Sequence, residues 1–108
     1  MGASLNLLQG TLDVLVLKAL AWGPRHGYAT ARWIRDTTDD TILVEDRALY
    51  VALHRLEAQG LIEAEWGASD NNRRARYYRL TPPGRAALRA KSREWTVYAT
   101  AVFKALRA

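Results

Sequence analysis

Between Leu7 and Leu20 apolar side chains recur at helical spacing: Leu8, Leu12, Leu15, Val16 and Ala19 repeat, while Val14, Leu17 and Leu20 load the remaining flank. A helix apolar on nearly every side must be covered on more than one. In so short a chain a second copy is a natural cover. Gly23-Pro24 ends this helix, and His26-Gly27-Tyr28 opens another that runs to Thr37 or Thr38, with Tyr28, Ala31 and Ile34 three residues apart. A third helix is predicted from Arg47 to Gln59. On it Leu49, Ala52, Leu53 and Leu56 share one face, and Arg47, Val51, His54 and Ala58 the opposite one, flanked by Tyr50 and Arg55.

Gly60 suits the position just past that helix. Ile62, Ala64 and Trp66 then alternate with Glu63 and Glu65, the period of a half-buried strand. After the loop Gly67 to Asn72, residues Arg73 to Leu80 return as a second strand, with Tyr78 and Leu80 inward and Tyr77 and Arg79 outward. Thr81-Pro82 provides an N-cap and a first-turn proline for a last helix. Its stripe is Leu88, Trp95, Tyr98, Ala99, Val102 and Leu106, interrupted by Lys91. At ~1.5 Å per residue that helix is roughly 37 Å long, more than one small core can cover. The expected fold is mainly α with a small β-hairpin: a winged helix-turn-helix over residues 1–80, then a dimerisation helix over 81–108 packed as one unit with the first helix.

With 108 residues, half of them apolar, the chain suits one small core. It has no cysteine and two histidines, which excludes disulfides and cysteine-ligated zinc and leaves too few ligands for a convincing metal site. The apolar run Val14–Leu17 is far too short to span a membrane, so a cytoplasmic protein with no membrane partner is expected. The net charge of +5 is divided unevenly: residues 1–66 hold six Lys/Arg against nine Asp/Glu, and residues 67–108 hold ten against two. A basic hairpin and last helix suit a polyanion, nucleic acid first. A solvated basic helix explains the same charge.

The third helix offers Arg47, His54, Arg55 and the Tyr50 hydroxyl as donors, with Ala48 and Val51 among its small apolar groups, a mixture able to meet base edges, thymine methyls and phosphates. An ordinary solvent face has a similar composition. The hairpin adds Asn72, Arg73, Arg74, Arg76 and Tyr77, suited to the phosphate backbone or the minor groove. Alternatively some of these arginines pair with Glu63 and Glu65 across the hairpin. His26 beside its turn reads as structural rather than as a ligand, and Asp36, Asp39 and Asp40 read as a polar loop with no cation-site spacing. Ser69 and Ser92 belong to no catalytic motif, and no cofactor site is evident.

In their order and spacing several segments resemble the PadR family of bacterial transcriptional regulators, in the short form with one C-terminal helix. They are Leu8 to Leu20, Trp22-Gly-Pro-Arg-His-Gly-Tyr28, Leu49-Tyr50 with Leu53, Arg55-Leu56-Glu57 and Gly60-Leu-Ile62, and Tyr77-Tyr-Arg-Leu-Thr81 with Gly84. The resemblance implies a homodimeric repressor of its own or a neighbouring gene at an inverted-repeat operator. Tyr50 would contact DNA near the start of the reading helix, Tyr28 would help position the second helix close to the DNA, and the wing would touch the backbone. Some members of the family bind planar aromatic molecules between the subunits, which would make Trp95 a platform for such an effector with Leu12 and Val16 beside it; the alternative is that Trp95 is plain dimer core. Leu8, Leu12, Leu88, Trp95, Tyr98, Val102 and Leu106 are the expected dimer contacts. Arg47 stands where the family often has glycine, and Val51 where it has proline, so the helix start departs from the pattern. The competing reading is a winged-helix dimer serving as a small-molecule-binding or adaptor module with weak DNA binding. An enzyme has no support in the sequence.

Overall fold

The computed structural model describes residues 10–68 and 71–108. Among these are four helices, α1 (Thr11–Leu20), α2 (Gly27–Thr37), α3 (Asp46–Ala58) and α4 (Pro82–Arg107), and three strands, β1 (Arg25–His26), β2 (Ile62–Ala68) and β3 (Arg74–Leu80). This is the winged helix-turn-helix with a long final helix that the hydrophobic pattern predicts. Leu8, an expected dimer contact, lies outside the described residues.

α1 runs through the middle of the domain. Val16, Leu17, Ala19 and Leu20 are buried within this one chain, enclosed by α2, α3, α4 and β3. Leu12 and Leu15 stay half-buried, so the chain itself covers most, but not all, of the apolar surface of α1. At the C-terminal end of α1, Arg25 Nε donates to the Ala19 carbonyl at 2.8 Å, satisfying an acceptor that the helix leaves open. Gly23, at φ 136°, turns the chain where a side chain would strain it.

The sheet has three strands, in the order β1-β3-β2, where a two-strand hairpin is expected from the sequence. The added β1 pairs Arg25 with Tyr78 and His26 with Tyr77. Two residues are too few to leave a period. His26 then caps α2, its Nδ1 accepting from the Ala29 amide at 3.1 Å, which is the structural role expected of it. On α2 the residues that reach the interior are Gly27, Thr30 and Ile34, while Tyr28 faces out.

α3 buries Leu49, Ala52, Leu53 and Leu56 as the periodicity requires. It ends in a Schellman motif: Leu61 N donates to the Leu56 carbonyl and Gly60 N to the Glu57 carbonyl, both at 3.0 Å, with Gly60 at φ 74°. Ile62 faces Leu80 and Ala68 faces Arg74 at the two ends of the β2–β3 ladder. Thr81 joins the wing to α4: its hydroxyl donates to the Gly60 carbonyl at 2.6 Å and accepts from the Gly84 amide at 3.1 Å. At 26 residues and ~1.5 Å per residue, α4 extends about 39 Å. Its last turns are exposed, and the molecule with α4 included extends 53 × 34 × 21 Å. No helix among the described residues is long and apolar enough to cross a membrane.

Candidate nucleic-acid interface

The helix-turn-helix and the wing face each other across a hollow of about 450 Å³. Tyr28, Tyr50 and His54 form its helical side; Trp66, Arg74 and Arg76 form its wing side, with the buried Tyr78 between them. The backbone fixes this convergence. The first turn of α2 packs on α3 at Gly27, where a Cβ would stand in ordinary van der Waals contact, 3.6 Å from Tyr50 Cε1. The Tyr50 ring is therefore held against α2 while half of the residue stays exposed. Arg32 lies one turn along α2 with its guanidinium 5.8 Å from the Tyr28 ring centroid. Arg47, Ala48 and Val51 are exposed at the start of α3, on the side away from the buried stripe.

The arginines divide into two groups. Arg55 reaches back to form an ion pair with Asp13 on α1. Arg76 pairs with Glu57 at 3.0 Å, and Arg79 with Glu63 at 2.9 Å and Glu65 at 3.8 Å. The cross-hairpin pairing expected from the sequence thus falls to Arg79. Among the described residues no carboxylate lies within ion-pair distance of Arg47, Arg73 or Arg74. Six of the ten basic residues beyond position 66, namely Arg85, Arg89, Lys91, Arg93, Lys104 and Arg107, ride on α4. The wing therefore presents less free charge than the sequence suggests, concentrated at Arg73 and Arg74 beside the exposed Asn72.

Tyr77, expected to point outward, is half-buried. Its hydroxyl donates to the Ala68 carbonyl at 2.8 Å, its ring packs edge-on to His26 at 5.5 Å, and a Cβ on Gly67 would stand 3.0 Å from its Cδ1. It stiffens the wing from behind. Burial lifts the Tyr78 phenol above its ordinary pKa, and the neighbouring Arg76 guanidinium opposes that rise. Trp66 has the inward phase of Ile62 and Ala64 but lies past the end of the core, and it was not among the residues that the sequence singled out. The signal available was its place next to the loop: alternation assigns a face, not a depth.

A second apolar region lies between α1 and α4. Trp95 borders two hollows, one of about 310 Å³ with Thr11, Val14 and Tyr98, the other of about 520 Å³ with Val14, Leu15, Ile42 and Phe103. Leu12 and Val16, expected beside Trp95, line neither. At 100° per residue they point away from the side of α1 that carries Thr11, Val14 and Leu15, and Val16 is sealed in the core. Leu88 packs against that core as well.

A model of the transcriptional regulator PadR-like family matches residues 16–90. The chain belongs to this family. It is 30% identical over 90 residues to an uncharacterized protein of Lysinibacillus sphaericus, covering 83% of each chain. A transcriptional regulator of Mycobacterium tuberculosis is 53% identical over 45 residues, 42% of this chain and 41% of that one. Among solved structures, a transcriptional regulator from Clostridium thermocellum superposes with a TM-score of 0.80 at 32% identity, covering 89% of this chain and 90% of that chain. A PadR family transcriptional regulator from Eggerthella lenta gives 0.76 at 37% identity, covering 91% and 83%. This PadR-like regulator is thus a DNA-binding protein and not an enzyme. The family match takes in α2, α3 and the wing, which form the hollow described above.

Proposed function

We propose that this PadR-like protein is a homodimeric repressor that reads an inverted-repeat operator through α3 and holds the DNA backbone with its wing. The observation that carries the reading is the exposed surface shared by α3 and the wing. Arg47, Ala48, Tyr50, Val51 and His54 stand free of the core at the reading helix, with Tyr28 beside them and Asn72, Arg73 and Arg74 at the wing. Those side chains are the proposed DNA contacts, whereas Arg55, Arg76 and Tyr77 position them through Asp13, Glu57 and Ala68. Dimerisation is supported by α4, whose apolar stripe continues through Tyr98, Val102 and Leu106 after the body of the domain has ended. Two copies related by a two-fold axis place their reading helices on half-sites spaced by about one helical turn, roughly 34 to 36 Å, or a multiple of it. The hollows beside Trp95 support release by a planar aromatic effector lodged at Trp95 and Tyr98.

Binding to the DNA upstream of its own gene, followed by fluorescence anisotropy across a salt series, tests the core of this reading. At the proposed interface Arg47, Arg73 and Arg74, which have no carboxylate partner among the described residues, make about six phosphate contacts per dimer. Affinity then falls on the order of 10³-fold for a fourfold rise in salt. An affinity that is flat with salt, or equal for upstream and scrambled DNA, overturns it.

A further inference from the structure

We propose that Trp66 and Arg74 form a preassembled clamp for the DNA sugar-phosphate backbone, so that the wing contributes an aromatic contact as well as charge. The inference rests on the DNA-binding role proposed above. Trp66 is 59% exposed although it shares the inward phase of Ile62 and Ala64. Over its ring lies the Arg74 guanidinium, 4.6 Å from the centroid. Trp66 and Arg74 border both the hollow shared with Tyr50 and His54 and a second one at the wing tip with Gly67 and Asn72. A backbone strand lying between α3 and the wing meets this pair from either side.

The way each arginine is held separates Arg74 from its neighbours. Arg76 and Arg79 are held by carboxylates, which orient a guanidinium and also neutralise it. Arg74 is held by an indole face, which orients the guanidinium and leaves its charge intact. A planar guanidinium stacked on a ring keeps its N–H edge free for two-point contact with a phosphate, and it loses less freedom on binding than an unheld side chain. The uncovered part of the indole is apolar and fits the C–H surface of deoxyribose, a contact indifferent to base sequence. Trp66 therefore acts in two ways, positioning Arg74 and packing on the sugar.

Anisotropy titrations with upstream and scrambled duplexes, together with tryptophan emission, test this on Trp66→Ala, Trp66→Phe, Arg74→Ala, Arg74→Lys and the Trp66→Ala/Arg74→Ala double variant. All of these changes lie at exposed positions, and circular dichroism confirms the folded state of each. Trp66→Ala and Arg74→Ala each weaken binding about tenfold on both duplexes. The double variant is weakened by less than the product of the two. Arg74→Ala lowers the salt slope by about two per dimer, whereas Trp66→Ala and Arg74→Lys leave it in place. DNA quenches the emission of the wild type, and Trp66→Phe removes most of that change. Wild-type affinity in Trp66→Ala, fully multiplicative single effects, or an emission change that survives in Trp66→Phe overturns the clamp. Failure of the wild type to bind DNA at low salt overturns the DNA-binding role itself.

Discussion

Glu57 Oε2 and an Arg76 Nη lie 3.0 Å apart, joining the last turn of α3 to the middle of β3. Arg76 also lies over Tyr78, its guanidinium carbon 5.8 Å from the ring centroid, so one side chain ties the reading helix, the wing and the core together. The angle between wing and helix decides whether both can engage one stretch of DNA.

Glu57→Gln removes the charge of this pair while keeping its shape. Because both partners are partly exposed, the cost in stability is about 1 kcal/mol. The effect on DNA is larger in selectivity than in affinity. A released Arg76 adds a cation to the wing, while the loosened wing no longer holds α3 in a fixed register. Anisotropy with upstream and scrambled duplexes is expected to give a several-fold smaller affinity ratio and a steeper salt dependence. An unchanged ratio refutes the positioning role.

Gly84 packs on the turn between α3 and β2, and a Cβ there would stand 1.9 Å from the Leu61 carbonyl oxygen. Two effects of Gly84→Ala oppose each other. Alanine favours a helix over glycine by up to about 1 kcal/mol. The clash is with backbone rather than with a flexible side chain, and relieving it shifts the start of α4 at a cost of about 2–3 kcal/mol or more. The clash wins, and thermal denaturation should show a clear net loss of stability. Thr81→Ala, which removes the cap and the bond to Gly60, is expected to cost about 1 kcal/mol.

The Asp13–Arg55 pair joins α1 to α3, and its two ends are unequal: the side chain of Asp13 is 12% exposed and that of Arg55 44%. Deleting the arginine leaves a nearly buried carboxylate without its cation, whereas deleting the carboxylate leaves a guanidinium that reaches solvent. Arg55→Met is therefore the more damaging change, at about 2–3 kcal/mol against about 1 kcal/mol for Asp13→Asn. Chemical denaturation of both variants gives the comparison. Equal losses would mean that the ion pair, and not the stranded charge, sets the cost.

These pairings mark the limit of what the sequence made legible. Leu49, Ala52, Leu53 and Leu56 could be placed because one helix face and one core share a period. The apolar surround of α1 was equally visible, but periodicity does not say whose surface covers it. Most of the cover is this chain's own α2, α3, α4 and β3, with Leu12 and Leu15 left half-buried. Arg55, Arg76 and Arg79 read alike as basic surface, yet their partners come from three different elements, a matter of tertiary position. β1 and Trp66 escaped for the opposite reason, the first too short to show alternation and the second having the right phase at the wrong depth.

Past Ala99 every residue of α4 is exposed in the single chain, Leu106 to 75%. At 100° per residue Tyr98, Val102 and Leu106 continue the stripe of Leu88 and Trp95, while Val97 falls on the far side of the helix. Burying each stripe residue against a second copy is worth roughly 1–2 kcal/mol, and such contributions repeat on both subunits. Val102→Asp combined with Leu106→Glu is expected to convert the dimer to a monomer by light scattering. The helical content should persist, because neither side chain supports the core, and the melting temperature should lose its dependence on protein concentration. Val97→Asp replaces an equally exposed valine with the same charge and should leave the dimer intact. If Val97→Asp dissociates it as well, or if the double variant stays dimeric, the interface does not run along this stripe.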